Sequence, residues 1–138
     1  MLRIQRSIIE ALFAQAKREL PAECCGYLGE RADGIIGTHI EMTNLDKSHE
    51  HFTMDPKEQF AAFKRLKTEG LKMKAVYHSH PETPARPSEE DIRLAFDPHI
   101  SYVIISLADL EKGPDIKSFL IKAQDQKPEN EPIEIIED

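Results

Sequence analysis

The sequence predicts an α/β fold, a mixed β-sheet flanked by helices, in a single domain over residues 1–138. Two segments carry apolar residues at helical spacing, near residues 5–19 and after Asp55. Between and after them lie short runs rich in β-branched and aromatic residues, bounded by glycine, proline or charge. The order of helices and strands is that of a sandwich in which helices cover a sheet.

The elements follow in turn. Ile4, Ile8, Leu12 and Ala16 recur every four residues, with Ile9, Phe13 and Leu20 beside them, which predicts an amphipathic helix over about residues 5–19. Strands near 24–30 and 34–43 join through Ala32-Asp33-Gly34 as a hairpin. Asp55-Pro56-Lys57-Glu58 opens a second helix, with Asp as N-cap and Pro at the first position. Its expected core face is Phe60, Phe63 and Leu66, and Gly70 stops it. Met73, Ala75 and Tyr77 alternate with Lys72, Lys74 and Val76, a strand pattern that Pro81 ends. Ser88 reads as the N-cap of a short helix with Glu89 and Glu90 in its first turn and an apolar stripe of Ile92, Ala95 and Phe96. Ser101 to Leu107 and Ile116 to Ile121 are strands, and Ile133 with Ile135 suggests a last short one.

Charge and composition exclude several classes. The formal net charge is −7. Residues 125–138 hold six acids against Lys127, so this acidic tail carries most of that charge. It reads as solvated, with an edge strand as the alternative. No basic, aromatic-rich face exists, which argues against nucleic acid. Lys64, Arg65, Lys67, Lys72 and Lys74 cluster locally, as a solvated face or as a dock for an acidic partner. Arg3, Arg6, Glu10 and Lys17 break the first apolar runs, unlike a signal peptide, and no window approaches the ~18 apolar residues of a membrane span. Cys24 and Cys25 would point to opposite faces of a strand, so they read as unpaired packing residues and suit the cytoplasm.

The chemistry concentrates in Tyr77-His78-Ser79-His80-Pro81 through Ser88-Glu89-Glu90-Asp91. Residues two apart on a strand point the same way, so His78 and His80 can converge on one ion. With Asp91 they make a three-ligand zinc set that leaves a fourth position open. The prolines Pro81, Pro84 and Pro87 stiffen the intervening loop. Taken alone, Ser-x-x-Asp is also a capping box, and a lone His-x-His is common by chance. A hydrolytic site further needs a carboxylate base outside the ligand set. Glu23, in Pro21-Ala22-Glu23-Cys24-Cys25-Gly26, is the best candidate, with a solvated turn as its alternative.

This pattern resembles the JAMM (MPN+) metalloprotease family: a remote Glu, then His-x-His, seven residues, Ser, two residues, Asp. Glu23, His78, His80, Ser88 and Asp91 fill all five positions. Pro-x-Glu-Cys-Cys-Gly-x-Leu further resembles the short bacterial and archaeal members. The resemblance implies the MPN fold, a cytidine-deaminase-like arrangement of sheet and helices. It implies zinc held by His78, His80 and Asp91, with a bound water as nucleophile. Glu23 would be the general acid/base and Ser88 the oxyanion donor.

Three function classes follow. The first is a zinc peptidase or isopeptidase acting on the tail of a ubiquitin-like protein, with a Gly-Gly-ended sulfur carrier implied by resemblance to the small members. The second is a non-catalytic scaffold, which the complete ligand set disfavours. The third is another zinc hydrolase, such as a small-molecule amidase; the Pro-Cys-x-x-Cys pair of nucleobase deaminases is absent. The rival His49-Glu50-His51 lacks a following helix-start carboxylate and reads as a loop near the substrate or as a surface pair. His39 and His99 have no partners in sequence and read as structural. No residue pattern assigns an oligomeric state.

Overall fold

The computed structural model describes residues 1–138. Its elements are β1 (Leu2–Gln5), α1 (Arg6–Arg18), β2 (Cys25–Glu30), β3 (Ile35–Met42), α2 (Pro56–Thr68), β4 (Lys72–His80), α3 (Glu89–Leu94), β5 (Ser101–Ser106), β6 (Asp115–Leu120), β7 (Glu129–Glu131) and β8 (Ile133–Ile136). One eight-stranded sheet has the order β7-β6-β5-β4-β2-β3-β1-β8. It is mixed: β4 runs parallel to β5, and β1 runs parallel to β3 and β8, whereas β2 pairs antiparallel with both β3 and β4.

Strand alternation divides the sheet's side chains between two cores. Leu28, Ala75, Tyr77, Val103 and Ile105 pack under α1 with Ile8, Leu12 and Ala16. Tyr27, Ile40, Val76 and Tyr102 pack under α2 with Ala62 and Leu66. Cys24 belongs to the first core and Cys25 to the second, and both thiols are buried. The two cysteines do face opposite sides.

The expected helix and strand boundaries shift in three places. Ile4 continues the four-residue period of α1 but lies on β1, where it is fully buried between β3 and β8. Burial between two parallel strands overrides the helical spacing. On α2 the inward row is Ala62 and Leu66, while Phe60 is 72% exposed and Phe63 41%. The small Ala62 lets the helix sit close to the sheet, and Phe63 instead meets the Tyr27 ring from the side, centroids 5.2 Å apart. α3 ends at Leu94, so Ala95 and Phe96 lie beyond it and Phe96 is exposed.

Residues 129–136 reach both sheet borders. β7 pairs with β6 at one border and β8 with β1 at the other, with Pro132 between them. The Pro132 carbonyl accepts the Leu2 N–H at 2.9 Å. Glu131 is buried there and accepts from the hydroxyls of Ser101 (2.6 Å) and Ser118 (2.8 Å), which ties β7 to β5 and β6.

Candidate metal and catalytic site

The site forms where β2 and β4 lie side by side. Cys25 stands opposite His78 in their register. Continued by two residues, that register brings Glu23 opposite His80. Two bonds lock the extension: Cys24 N–H donates to Ser79 Oγ at 2.8 Å, and Ser79 N–H donates to Cys24 O at 3.0 Å. Gly26 makes the neighbouring pair possible. A Cβ there would meet Ile40 O and the Tyr77 hydroxyl, each at 2.3 Å. Tyr77 crosses this space to donate to Gln15 Oε1 at 2.5 Å, and Gln15 Nε2 in turn donates to Cys25 O at 3.2 Å.

His78 and His80 share the α2 face of β4, and α3 brings Asp91 to them. His78 Nε2, His80 Nε2 and Asp91 Oδ2 lie mutually 3.1 Å apart. Tetrahedral zinc bonds of about 2.0–2.1 Å place ligand atoms roughly 3.3 Å apart, so the spacing suits a single ion. His80 Nδ1 sits 2.9 Å from the Pro84 carbonyl, which can only accept. That bond fixes a proton on Nδ1, so Nε2 is the nitrogen that faces Asp91 and becomes a metal ligand once it gives up its own proton. The Phe52 ring stacks near His78, centroids 4.9 Å apart.

Ser88 and Asp91 do form a capping box: Asp91 N–H donates to Ser88 Oγ at 3.0 Å, and Ser88 N–H donates to Asp91 Oδ2 at 2.9 Å. The capping and convergence readings are therefore compatible. Oδ2 serves both, and the Ser88 hydroxyl keeps its own hydrogen free to donate. Burial works against ionisation of Asp91, but bonds to His78 and His80 outweigh it and hold the carboxyl well below its usual range.

Glu23 is 3% exposed. Its Oε1 is the one buried side-chain oxygen or nitrogen without a hydrogen-bond partner. Burial pushes its pKa from 4.5 up to about 8; the nearby His80 pulls it down, and Asp91 adds to the rise. Such an atom is costly unless something else employs it.

One recess opens on this group, and a second lies further along the loop that follows β4. An apolar one of about 160 Å³ runs from His78 and Asp91 along Phe52, Met54, Leu94 and Tyr102. A wider polar cleft of about 910 Å³ opens beside Pro84, between Arg86 and Lys112.

Residues 5–122 match the model of prokaryotic homologs of the JAB domain. The chain belongs to that family. The CysO-cysteine peptidase of Mycobacterium tuberculosis is 31% identical over 138 residues, 99% of this chain and 92% of that protein. A probable TtuB-protein conjugate cleaving protease of Thermus thermophilus is 35% identical over 69% of this chain and 64% of its own. The solution structure of protein DSY2949 from Desulfitobacterium hafniense is 46% identical, with a TM-score of 0.88 over 100% of this chain and 94% of that one. A structure described as a JAMM metalloprotease-like zinc site in the proteasome and signalosome shares the fold, with a TM-score of 0.57 at 19% identity over 99% of this chain and 98% of that one.

In this JAB domain all five motif residues lie around one point, while the other histidines stay apart. His51 Nε2 pairs with Asp46 at 3.3 Å, His49 with Glu50 at 3.2 Å and His39 with Glu41 at 3.4 Å. Lys72 and Lys74 lie at the start of β4, away from the histidines that end it. Three residues at the site escaped sequence reasoning: Asn44, Phe52 and Ser79. Ser79 carried a usable signal, as the middle residue of His-x-His facing the opposite core. Asn44 and Phe52 lie on a loop whose contacts no spacing rule encodes.

Proposed function

We propose that the protein is a zinc-dependent, JAMM-type peptidase, one domain acting in the cytoplasm. Its substrate is an amide bond at the C-terminal tail of a ubiquitin-like protein, first of all a sulfur carrier ending in Gly-Gly. The carrying observation is the convergence of His78, His80 and Asp91 beside a buried carboxyl oxygen of Glu23 that has no partner. Two imidazole nitrogens and a carboxylate are a zinc donor set. A non-catalytic scaffold gives that orphaned oxygen no use. The relatives that act on CysO and on TtuB conjugates support this substrate class.

Zinc, held by His78, His80 and Asp91, would supply Lewis-acid activation of water and of the scissile carbonyl when bound. The protein's own groups do the rest. Glu23 takes a proton from the attacking water at its free Oε1 and returns it to the leaving amine. A pKa near 8 lies close enough to neutral pH for both transfers. Ser88 Oγ, held by the Asp91 amide, aims its hydrogen at the oxyanion. The apolar recess that begins at His78 and Asp91 receives an apolar group of the substrate next to the scissile bond.

The test is intact-mass spectrometry of a sulfur carrier extended past Gly-Gly, incubated with the zinc-loaded protein with and without chelator. A chelator-sensitive mass loss ending at Gly-Gly is expected. An unchanged carrier with zinc confirmed bound would overturn the substrate assignment.

A further inference from the structure

Glu23 precedes the first residue of β2, so no strand ladder holds its main chain. Both of its backbone polar groups end on the loop between β3 and α2 instead. Its N–H donates to Ser48 O at 2.7 Å, and its carbonyl accepts from Asn44 Nδ2 at 3.0 Å. Asn44 is 4% exposed, and its amide uses its full capacity. Nδ2 also donates to His51 O at 3.0 Å, while Oδ1 accepts the N–H of Asp46 at 3.1 Å and of Thr53 at 3.2 Å. The His51 carbonyl and the Thr53 N–H bracket Phe52, the residue that stacks near His78 and lines the apolar recess. Leu45 N–H donates to Thr53 O at 2.9 Å and closes the neck of the same loop.

We propose that Asn44 is the positioning residue of this site: one amide fixes the Glu23 main chain and the Phe52 wall relative to each other. The proposal rests on the peptidase reading above. Glu23 has no side-chain bond at Oε1 to orient it, so its aim depends on how its main chain is held. Loss of the Asn44 donor frees the Glu23 carbonyl from its tether and lets the carboxyl drift. A displacement near 1 Å at a reacting group costs on the order of a hundredfold in rate.

Asn44→Asp is the informative variant. It keeps an acceptor for Asp46 and Thr53 and removes both donated bonds, to Glu23 and His51. With the extended sulfur carrier as substrate, kcat per bound zinc is expected to fall about ten- to a hundredfold. Zinc content stays at the wild-type level, because no ligand is touched. Thr53→Val is the control: it loosens the loop through its side chain and leaves the Asn44 donors alone, so it lowers Tm without lowering kcat. A purely structural role for Asn44 predicts a lower Tm with kcat per zinc within twofold of wild type, and that result overturns the proposal. If Asn44→Asp does not fold, Asn44→Ser, whose hydroxyl is too short to span to Glu23, carries the same expectation and the same refutation. Failure of the zinc-loaded wild-type protein to cleave the carrier is a different result: it overturns the substrate assignment above, and with it this proposal, which rests on that reading.

Discussion

Glu23→Gln should change the stability of the metal-free protein by an amount that moves in the variant's favour as pH rises. Folding raises the pKa of Glu23 from 4.5 to about 8, chiefly because the carboxyl is buried. The native state therefore holds this proton more tightly than the unfolded chain does. The resulting cost of carrying Glu23 is absent well below pH 4.5, grows as pH rises, and is complete above about pH 8. At about 1.4 kcal/mol per unit, linkage gives a cost of about 3 kcal/mol at pH 7 and about 1 kcal/mol at pH 5. Glutamine has nearly the same shape and never ionises. Its buried amide adds a penalty of its own, but one that does not change with pH and cancels in the comparison. The gap in unfolding free energy between variant and wild type should thus shift in the variant's favour by about 2 kcal/mol between pH 5 and pH 7. Urea denaturation of both chelator-treated proteins at the two pH values, followed by circular dichroism, measures it. A gap that stays constant would refute the claim that burial, unrelieved by a partner, holds this carboxyl neutral. The same variant, loaded with zinc, should lose about 10²–10⁴-fold in turnover.

Other outcomes test other parts. Ser88→Ala removes an N-cap and an oxyanion donor together: about 1 kcal/mol of stability and about 10²–10³-fold in kcat should go, and a stability loss with kcat intact would leave Ser88 only its cap. His80→Ala should abolish zinc binding, as read by elemental analysis of the purified protein; equal occupancy would refute the ligand set. Leu66→Ala should cost about 2–5 kcal/mol in urea denaturation, whereas Phe60→Ala should change stability by about 0.5 kcal/mol or less. A comparable loss at both positions would contradict the inward row seen on α2.

The convergence of His78, His80 and Asp91 was legible because it is local. His78, His80, Ser88 and Asp91 occupy one strand, loop and helix start, whose geometry follows from strand alternation and N-capping. Glu23 stood out less sharply, as a carboxylate before an apolar run with a solvated turn as its alternative, since its place opposite His80 depends on a register between β2 and β4 that composition does not encode. The helix near residues 5–19 appeared in the sequence, but Ile4 satisfied both a helical period and a strand position, and tertiary burial chose the strand. Phe60 and Phe63 misled for a related reason: aromatic size suggests core, yet the sheet's approach to α2 is set by the small Ala62. Asn44 gave no sign, because an asparagine in a polar loop is ordinary until its four partners are seen. The segment 125–138 left a tail and an edge strand both open, and only the paired sheet borders distinguish them.

Those borders have a consequence for how copies of the protein behave in concentrated solution. Exposed strand edges invite edge-to-edge pairing and aggregation. Here the outermost strands, β7 and β8, are short and carry the exposed Glu129 and Glu134, with Glu137 and Asp138 just beyond. A second copy laid along either edge would bring like carboxylates together. The acidic segment thus works as an electrostatic guard against self-association. The guard weakens as pH falls through the carboxylate range, and turbidity should rise there before the fold is lost.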